Sequence, residues 1–90
     1  MRFLITFWTT TAAFRAEQAL SKGVVNCSYK LIAVPIELAE TCHGYGLLFD
    51  VNNIEQMDEP KKILADADVK WKAIWQMETP FKKIEGGADA

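Results

Sequence analysis

Four runs of mainly apolar residues along the chain predict β-strands. Each run is six to eight residues long and rich in β-branched or aromatic side chains, which is typical of strands. The first run is apolar on both faces and is therefore expected at the centre of a sheet. In the last run Trp71 and Ala73 alternate with lysines, as in a strand with one solvated face. The runs are RFLITFW at 2–8, YKLIAV at 29–34, YGLLFDV at 45–51 and VKWKAIWQ at 69–76.

A helix is predicted between the first two runs, over residues 9–23. Its sequence, TTTAAFRAEQALSKG, opens with hydroxyl side chains suited to N-capping and closes on Gly23, a common helix end. Ala13, Ala16 and Leu20 recur at helical spacing and form a stripe of small residues. This stripe predicts a helix that packs closely on a sheet.

A second helix is predicted between the third and fourth runs, within residues 54–67. Pro60 falls inside this segment, and a proline in a helix interior costs roughly 3 kcal/mol. We therefore expect an irregular turn first, followed by a helix that begins near Glu59 with Pro60 in its first turn.

The order of these elements, β-α-β-β-α-β, predicts an α+β fold of the ferredoxin-like sandwich type. Right-handed crossovers in both β-α-β units would give a four-stranded antiparallel sheet with two helices on one face. We expect a single domain over residues 1–78. Residues 79–90 contain Pro80 and end in GGADA, so they are predicted to form a flexible tail.

Composition narrows the classes of function. The chain has 90 residues, which suits one small domain, and its 10 basic and 12 acidic side chains give a net charge of −2. No run of lysines or arginines is present that could neutralise phosphates, so nucleic acid is not an expected partner.

The apolar run Phe3–Trp8 is shorter than the ~7–15 residues of a secretory signal, and no run approaches the ~18 residues of a membrane span. We expect a cytoplasmic protein with no membrane association and with reduced cysteines.

The segment VPIELAETCHGYG, residues 34–46, presents Cys42 in the connection between the second and third strands. A zinc site needs about four ligands, and Cys27, Cys42 and His43 are too few, so neither a metal nor another cofactor is expected. A disulfide needs Cα atoms within about 7 Å, whereas the predicted hairpin holds the two cysteines at opposite ends. Cys27 is therefore interpreted as a packing residue.

The predicted topology brings Cys42 to the N-terminus of the first helix. Unpaired backbone N–H groups there lower a cysteine pKa from its free value of about 8.5 and so favour the nucleophilic thiolate. Thr9, Thr10 and Thr11 would supply hydroxyl groups at the same point, and Gly44 would let the backbone approach closely. His43 could add positive charge, although neighbouring residues of an extended segment point apart. These observations are compatible both with a reactive Cys42 thiol and with an inert, buried one.

Two segments, LITFWTTTAAFRAEQAL and LIAVPIELAETC, resemble the selenium/sulfur carrier-like family of small bacterial domains. The resemblance runs from Phe3 to about Trp75 and extends to the C-terminal part of some selenium-metabolism proteins. It implies that Cys42 accepts sulfur or selenium, as a persulfide or selenylsulfide, from a donor protein and passes it to an acceptor protein. We expect a carrier or binding protein more than a catalyst, because the sequence shows no paired acid and base groups for a deep substrate pocket. Where relatives usually read Cys-Gly, this chain has His43 between the cysteine and the glycine.

Aromatic side chains support a second hypothesis, a non-catalytic protein-interaction or small-ligand-binding module in which Cys42 is incidental. There are more aromatic residues than one helix layer can cover, so some are expected on the open face of the sheet. Without a basic surface, self-association into a homo-oligomer is the better expectation than RNA binding.

Overall fold

A computed structural model describes residues 1–23, 25, 27–35, 44–77 and 82–86. Over these residues the protein has an α+β fold with two α-helices and a five-stranded antiparallel sheet. A 3₁₀ turn, Ile54–Met57, leads directly into the second helix. The elements in chain order are β1 (Arg2–Phe7), α1 (Thr10–Lys22), β2 (Ser28–Ala33), β3 (Tyr45–Asp50), α2 (Asp58–Asp66), β4 (Trp71–Gln76) and β5 (Lys82–Gly86).

The strands are arranged in the order β2-β3-β1-β4-β5. β1 lies at the centre, where Leu4 pairs with Leu48 of β3 on one side and with Trp75 of β4 on the other. Five of its six residues are buried, as the continuous apolar run predicted. The strand β2 stands at one end of this order and pairs with β3, in a register that sets Ala33 opposite Tyr45.

The prediction of a four-stranded ferredoxin-like sheet is wrong in its strand number, and the strand order therefore differs. β5 pairs antiparallel with β4 and adds a fifth strand beyond the predicted edge. Its sequence, KKIEG, gives little periodicity, because Ile84 is its single large apolar residue. Ile84 nevertheless packs against the core, and the pairing contains an irregularity between Ile74 and Trp75. The flexibility predicted for residues 79–90 stays a prediction for the residues outside β5.

α1 forms where the hydroxyl-rich start and the small-residue stripe predicted it. The Thr9 hydroxyl caps the helix by accepting the Ala12 N–H at 3.0 Å. Its buried residues are Ala13, Ala16 and Leu20, which confirms the stripe as the face turned to the sheet. α1 contacts β1, β2 and β3 and also lies against α2.

α2 begins where the proline indicated. After the 3₁₀ turn, which the Asn53 side chain caps by accepting the Gln56 N–H at 3.2 Å, the helix runs from Asp58. Pro60 is buried in the first turn, where its missing N–H costs no helical hydrogen bond. The chain leaves the helix through Asp68 in the left-handed region, φ 57°.

One hydrophobic core lies between the sheet and the helices. Alternate residues of β1, namely Phe3, Ile5 and Phe7, point into it. Their intervening neighbours lie on the other face of the sheet, where the Thr6 hydroxyl donates to the Ala73 carbonyl at 3.3 Å. The remaining buried members of the core are Ala13, Ala16, Leu20, Leu47, Phe49, Val51, Met57, Leu64, Val69 and Ile74.

Candidate functional site

The connection between β2 and β3 closes on itself at its base. Cys42 and His43, the two predicted reactive-site residues of this connection, lie at 36–43, outside the described residues. Both ends of the connection are described. The Val34 N–H donates to the Gly44 carbonyl at 2.9 Å, one step beyond the Ala33–Tyr45 pair. The hydrogen-bonded ladder of the β2–β3 hairpin therefore extends to Val34 and Gly44.

The base of this connection sits on the first turn of α1. Gly44 has φ +83°, and a Cβ at that position would lie 2.8 Å from the Thr10 Oγ1. Real Cβ atoms essentially never lie that close, so another residue would be strained at this φ and would force the Thr10 side chain to move. Of the predicted site residues, the structure thus brings Thr10 and Gly44 together.

The N-terminus of α1 offers positive potential at this contact. Thr9 satisfies two of the first backbone donors, because its hydroxyl accepts the Ala12 N–H and its carbonyl accepts the Ala13 N–H at 3.2 Å. No acidic side chain occupies the first turn. The N–H groups of Thr10 and Thr11 precede these bonded donors and point out of the helix end, where a negative charge is stabilised.

Three exposed aromatic side chains belong to residues that are close in the chain to Thr10 or Gly44. Trp8 is 41% exposed, Phe14 46% and Tyr45 41%. The rings of Phe14 and Tyr45 lie 5.7 Å apart between centroids. The Lys72 ammonium lies 4.7 Å from the centre of the Trp8 ring, in a cation–π contact.

Sequence reasoning missed these aromatic residues as a group. It placed Trp8 inside the first strand, but β1 ends at Phe7. Phe14 falls beside the buried stripe of α1 rather than in it, and this off-stripe position was the available indication that its ring is exposed.

Cys27 lies in a different environment, at the start of β2 and so at the far end of the hairpin from Gly44. Its side chain is a half-buried free thiol that packs against the core, in agreement with its interpretation as a packing residue. Burial raises the pKa of the Cys27 thiol, and the negative charge of Glu59 raises it further. The thiolate form is therefore disfavoured at this position.

The described residues contain neither a cluster of metal-binding side chains nor a membrane-spanning helix. No group of three or more histidine, cysteine, aspartate or glutamate side chains in that part of the chain could hold a metal ion. No helix within the described ranges is long and apolar enough to cross a membrane.

Most of the chain matches a known protein family. The family model described as "Putative Se/S carrier protein-like" matches residues 2–76, which span all but the last of the described elements. No curated protein and no solved structure matches the chain.

Proposed function

The chain belongs to the Se/S carrier protein-like family, and from this premise we propose that it carries sulfur or selenium on Cys42. The family match carries the proposal, because it covers the whole β2–β3 connection in which Cys42 lies. The protein would accept the atom from a donor protein and release it to an acceptor protein. The reduced thiol that this role requires suits a cytoplasmic location.

The described surroundings support a thiolate at Cys42. Cys42 precedes Gly44 by two residues, so covalent geometry keeps the two Cα atoms within about 7.6 Å of each other. Gly44 rests on Thr10, at the positive end of α1. A thiolate near this helix end is stabilised by the helix dipole, with the hydroxyls of Thr9, Thr10 and Thr11 as further donors. His43, next in the chain, would add charge when protonated.

The proposed transfer is an exchange at sulfur without net oxidation. The Cys42 thiolate attacks the outer sulfur of a donor persulfide, and the donor sulfur–sulfur bond breaks. The donor leaves as a thiolate, and Cys42 becomes the persulfide. With a selenodisulfide donor, attack on selenium forms a selenylsulfide at Cys42 and releases one thiolate.

Intact-mass measurement after exposure to cysteine persulfide tests the proposal. The wild-type protein and the Cys27→Ser variant are expected to gain the mass of one sulfur atom, whereas Cys42→Ser gains none. Peptide mapping then assigns the atom to Cys42. Equal loading of Cys27, or no loading at all, would refute the carrier function. Repeating the experiment with selenodiglutathione shows whether selenium is also accepted.

The exposed aromatic residues favour a second candidate, an interaction module in which Cys42 has no chemical role. Trp8, Phe14 and Tyr45 offer contact area that needs no thiol. Under this hypothesis Cys42→Ser binds a partner as the wild type does. Under the carrier hypothesis it binds but transfers nothing.

A further inference from the structure

The large apolar side chains that the described part of the chain leaves most exposed are unevenly distributed. Five are more than 40% exposed, and the three aromatic ones, Trp8, Phe14 and Tyr45, occupy the edge of the sheet at which β1 ends and β3 begins. The other two, Met1 and Ile54, lie at the opposite edge. We call Trp8, Phe14 and Tyr45 the aromatic rim.

The rim residues are close in the chain to Thr10 or Gly44, whose contact lies at the base of the connection that contains Cys42. Trp8 is two residues before Thr10, Phe14 is one helical turn after it, and Tyr45 directly follows Gly44. A group that approaches the base of this connection therefore lies close to exposed aromatic rings. Trp and Tyr are among the residues that contribute most binding energy in protein interfaces.

Positive charge accompanies the rim. A recess of about 230 Å³ lies beside Trp8, and the charged side chains among its described lining residues are Arg15, Lys70 and Asp68. Two cations thus accompany one carboxylate in this recess, although the chain as a whole carries a net charge of −2. The excess positive charge at this edge complements an acidic surface.

We propose that the aromatic rim is the docking surface for the protein that exchanges sulfur or selenium with Cys42. The partner would present an apolar segment with acidic residues on either side of its own persulfide cysteine. This inference rests on the proposed function and adds to it the chemistry of the partner. A second copy of this chain would set cations against cations on the rim. Two lining cations on a chain of net charge −2 are also poorly suited to the phosphates of a nucleic acid.

Two synthetic peptides test the proposal. Both carry a cysteine persulfide between the same leucine and phenylalanine residues, and they differ only in having aspartates or lysines outside these. Transfer to Cys42 is followed by intact mass. The aspartate peptide is expected to react at least about 10-fold faster than the lysine peptide, since favourable charge pairing raises association rates by that order. Added salt should reduce the difference.

Variants locate the effect on the rim. In the triple variant W8S/F14S/Y45S the rate with the aspartate peptide should fall at least about 10-fold, as for the loss of interface residues that dominate binding. Its rate with free cysteine persulfide, which needs no docking, should stay unchanged. Ile54→Ser is the matched control, because Ile54 is 48% exposed at the opposite edge. This control should transfer sulfur from both donors as the wild type does.

Docking can be measured apart from transfer by replacing the peptide cysteine with serine. The unreactive aspartate peptide should shift the backbone amide resonances of the rim residues and of Thr10 in NMR spectra.

The proposal would be overturned by equal transfer from both peptides, by an unaffected triple variant, or by amide shifts confined to another surface. Displacement of the peptide by a single-stranded oligonucleotide would also overturn it. If cysteine persulfide also fails to load Cys42 while the serine peptide still binds the rim, the carrier function fails and the docking surface stands.

Discussion

At the scale of single residues, Gly44 fixes the geometry of the candidate site. It combines a positive φ of 83° with a position where an added Cβ would meet the Thr10 hydroxyl. The sequence suggested a close backbone approach at this glycine, but not which residue it approaches. That partner depends on the packing of α1 against β3, which local sequence does not encode.

Gly44→Ala is expected to destabilise the protein by roughly 1 to 3 kcal/mol, because alanine is strained at positive φ and its Cβ would collide with Thr10. Urea unfolding measures the change. Gly23→Ala is the matched control, since Gly23 has a negative φ and the nearest atom to its added Cβ would be the movable end of the Ile63 side chain at 3.0 Å. A larger loss for the control than for Gly44→Ala would contradict this account.

The two cysteines are expected to differ in reactivity. We predict that Cys42 reacts with iodoacetamide near neutral pH much faster than Cys27, and that its rate rises through an apparent pKa below the free value of about 8.5. Cys27 should react slowly, because burial and the charge of Glu59 raise its pKa. Alkylation across pH followed by peptide mapping measures both rates. An unreactive Cys42, or one that titrates at or above the free value, would remove the physical basis of the carrier function.

Glu59 offers a separate test of the environment of Cys27. In a Cys42→Ser background, Glu59→Gln should lower the pKa of Cys27, because a negative charge that opposes thiolate formation is removed. Burial is the larger cause, so part of the increase should persist. Ultraviolet absorbance of the thiolate against pH gives the value. Glu55→Gln serves as the control, since Glu55 is exposed and does not contribute to the shift. An unchanged pKa in Glu59→Gln would contradict the electrostatic contribution.

At the scale of elements, local sequence specified the helices and β1–β4 but not β5. α1 and α2 begin where a capping threonine and a first-turn proline predicted, since both features act within one turn of a helix. β5 has no such local determinant. Its stability comes from the free edge of β4 and from the contact of Ile84 with the core, which are properties of the folded sheet.

Truncation after Glu78 is expected to lower the free energy of unfolding by about 2 kcal/mol, because it removes the β4–β5 hydrogen bonds and the partial burial of Ile84. Truncation after Gly86 keeps β5 and should leave stability within about 0.5 kcal/mol of the full chain. Urea unfolding of the two truncated proteins makes the comparison. Equal stability of both would show that β5 contributes little, as expected of a flexible tail.

At the scale of the whole molecule, the two faces of the sheet differ. The helices and the core cover the face of Phe3 and Phe7. On the opposite face Leu4 pairs with Leu48 and Trp75, and directly paired residues project from the same side of a sheet. The Leu48 and Trp75 side chains are partly exposed there, and the Trp75 Nε1 is buried without a hydrogen-bond partner among the described residues.

Variants can separate the expected self-association through this second face from docking at the rim. We predict that the protein sediments as at least a dimer at micromolar concentration, because a small domain leaves much of its apolar surface uncovered. Leu48→Lys should shift it towards the monomer, since a charge on an apolar interface opposes burial. The triple variant W8S/F14S/Y45S should sediment as the wild type, because the rim lies at the edge of the sheet and not on this second face. A strict monomer would refute self-association. Dissociation by the rim variant alone would place the contact between copies on the rim and contradict its assignment to an acidic partner.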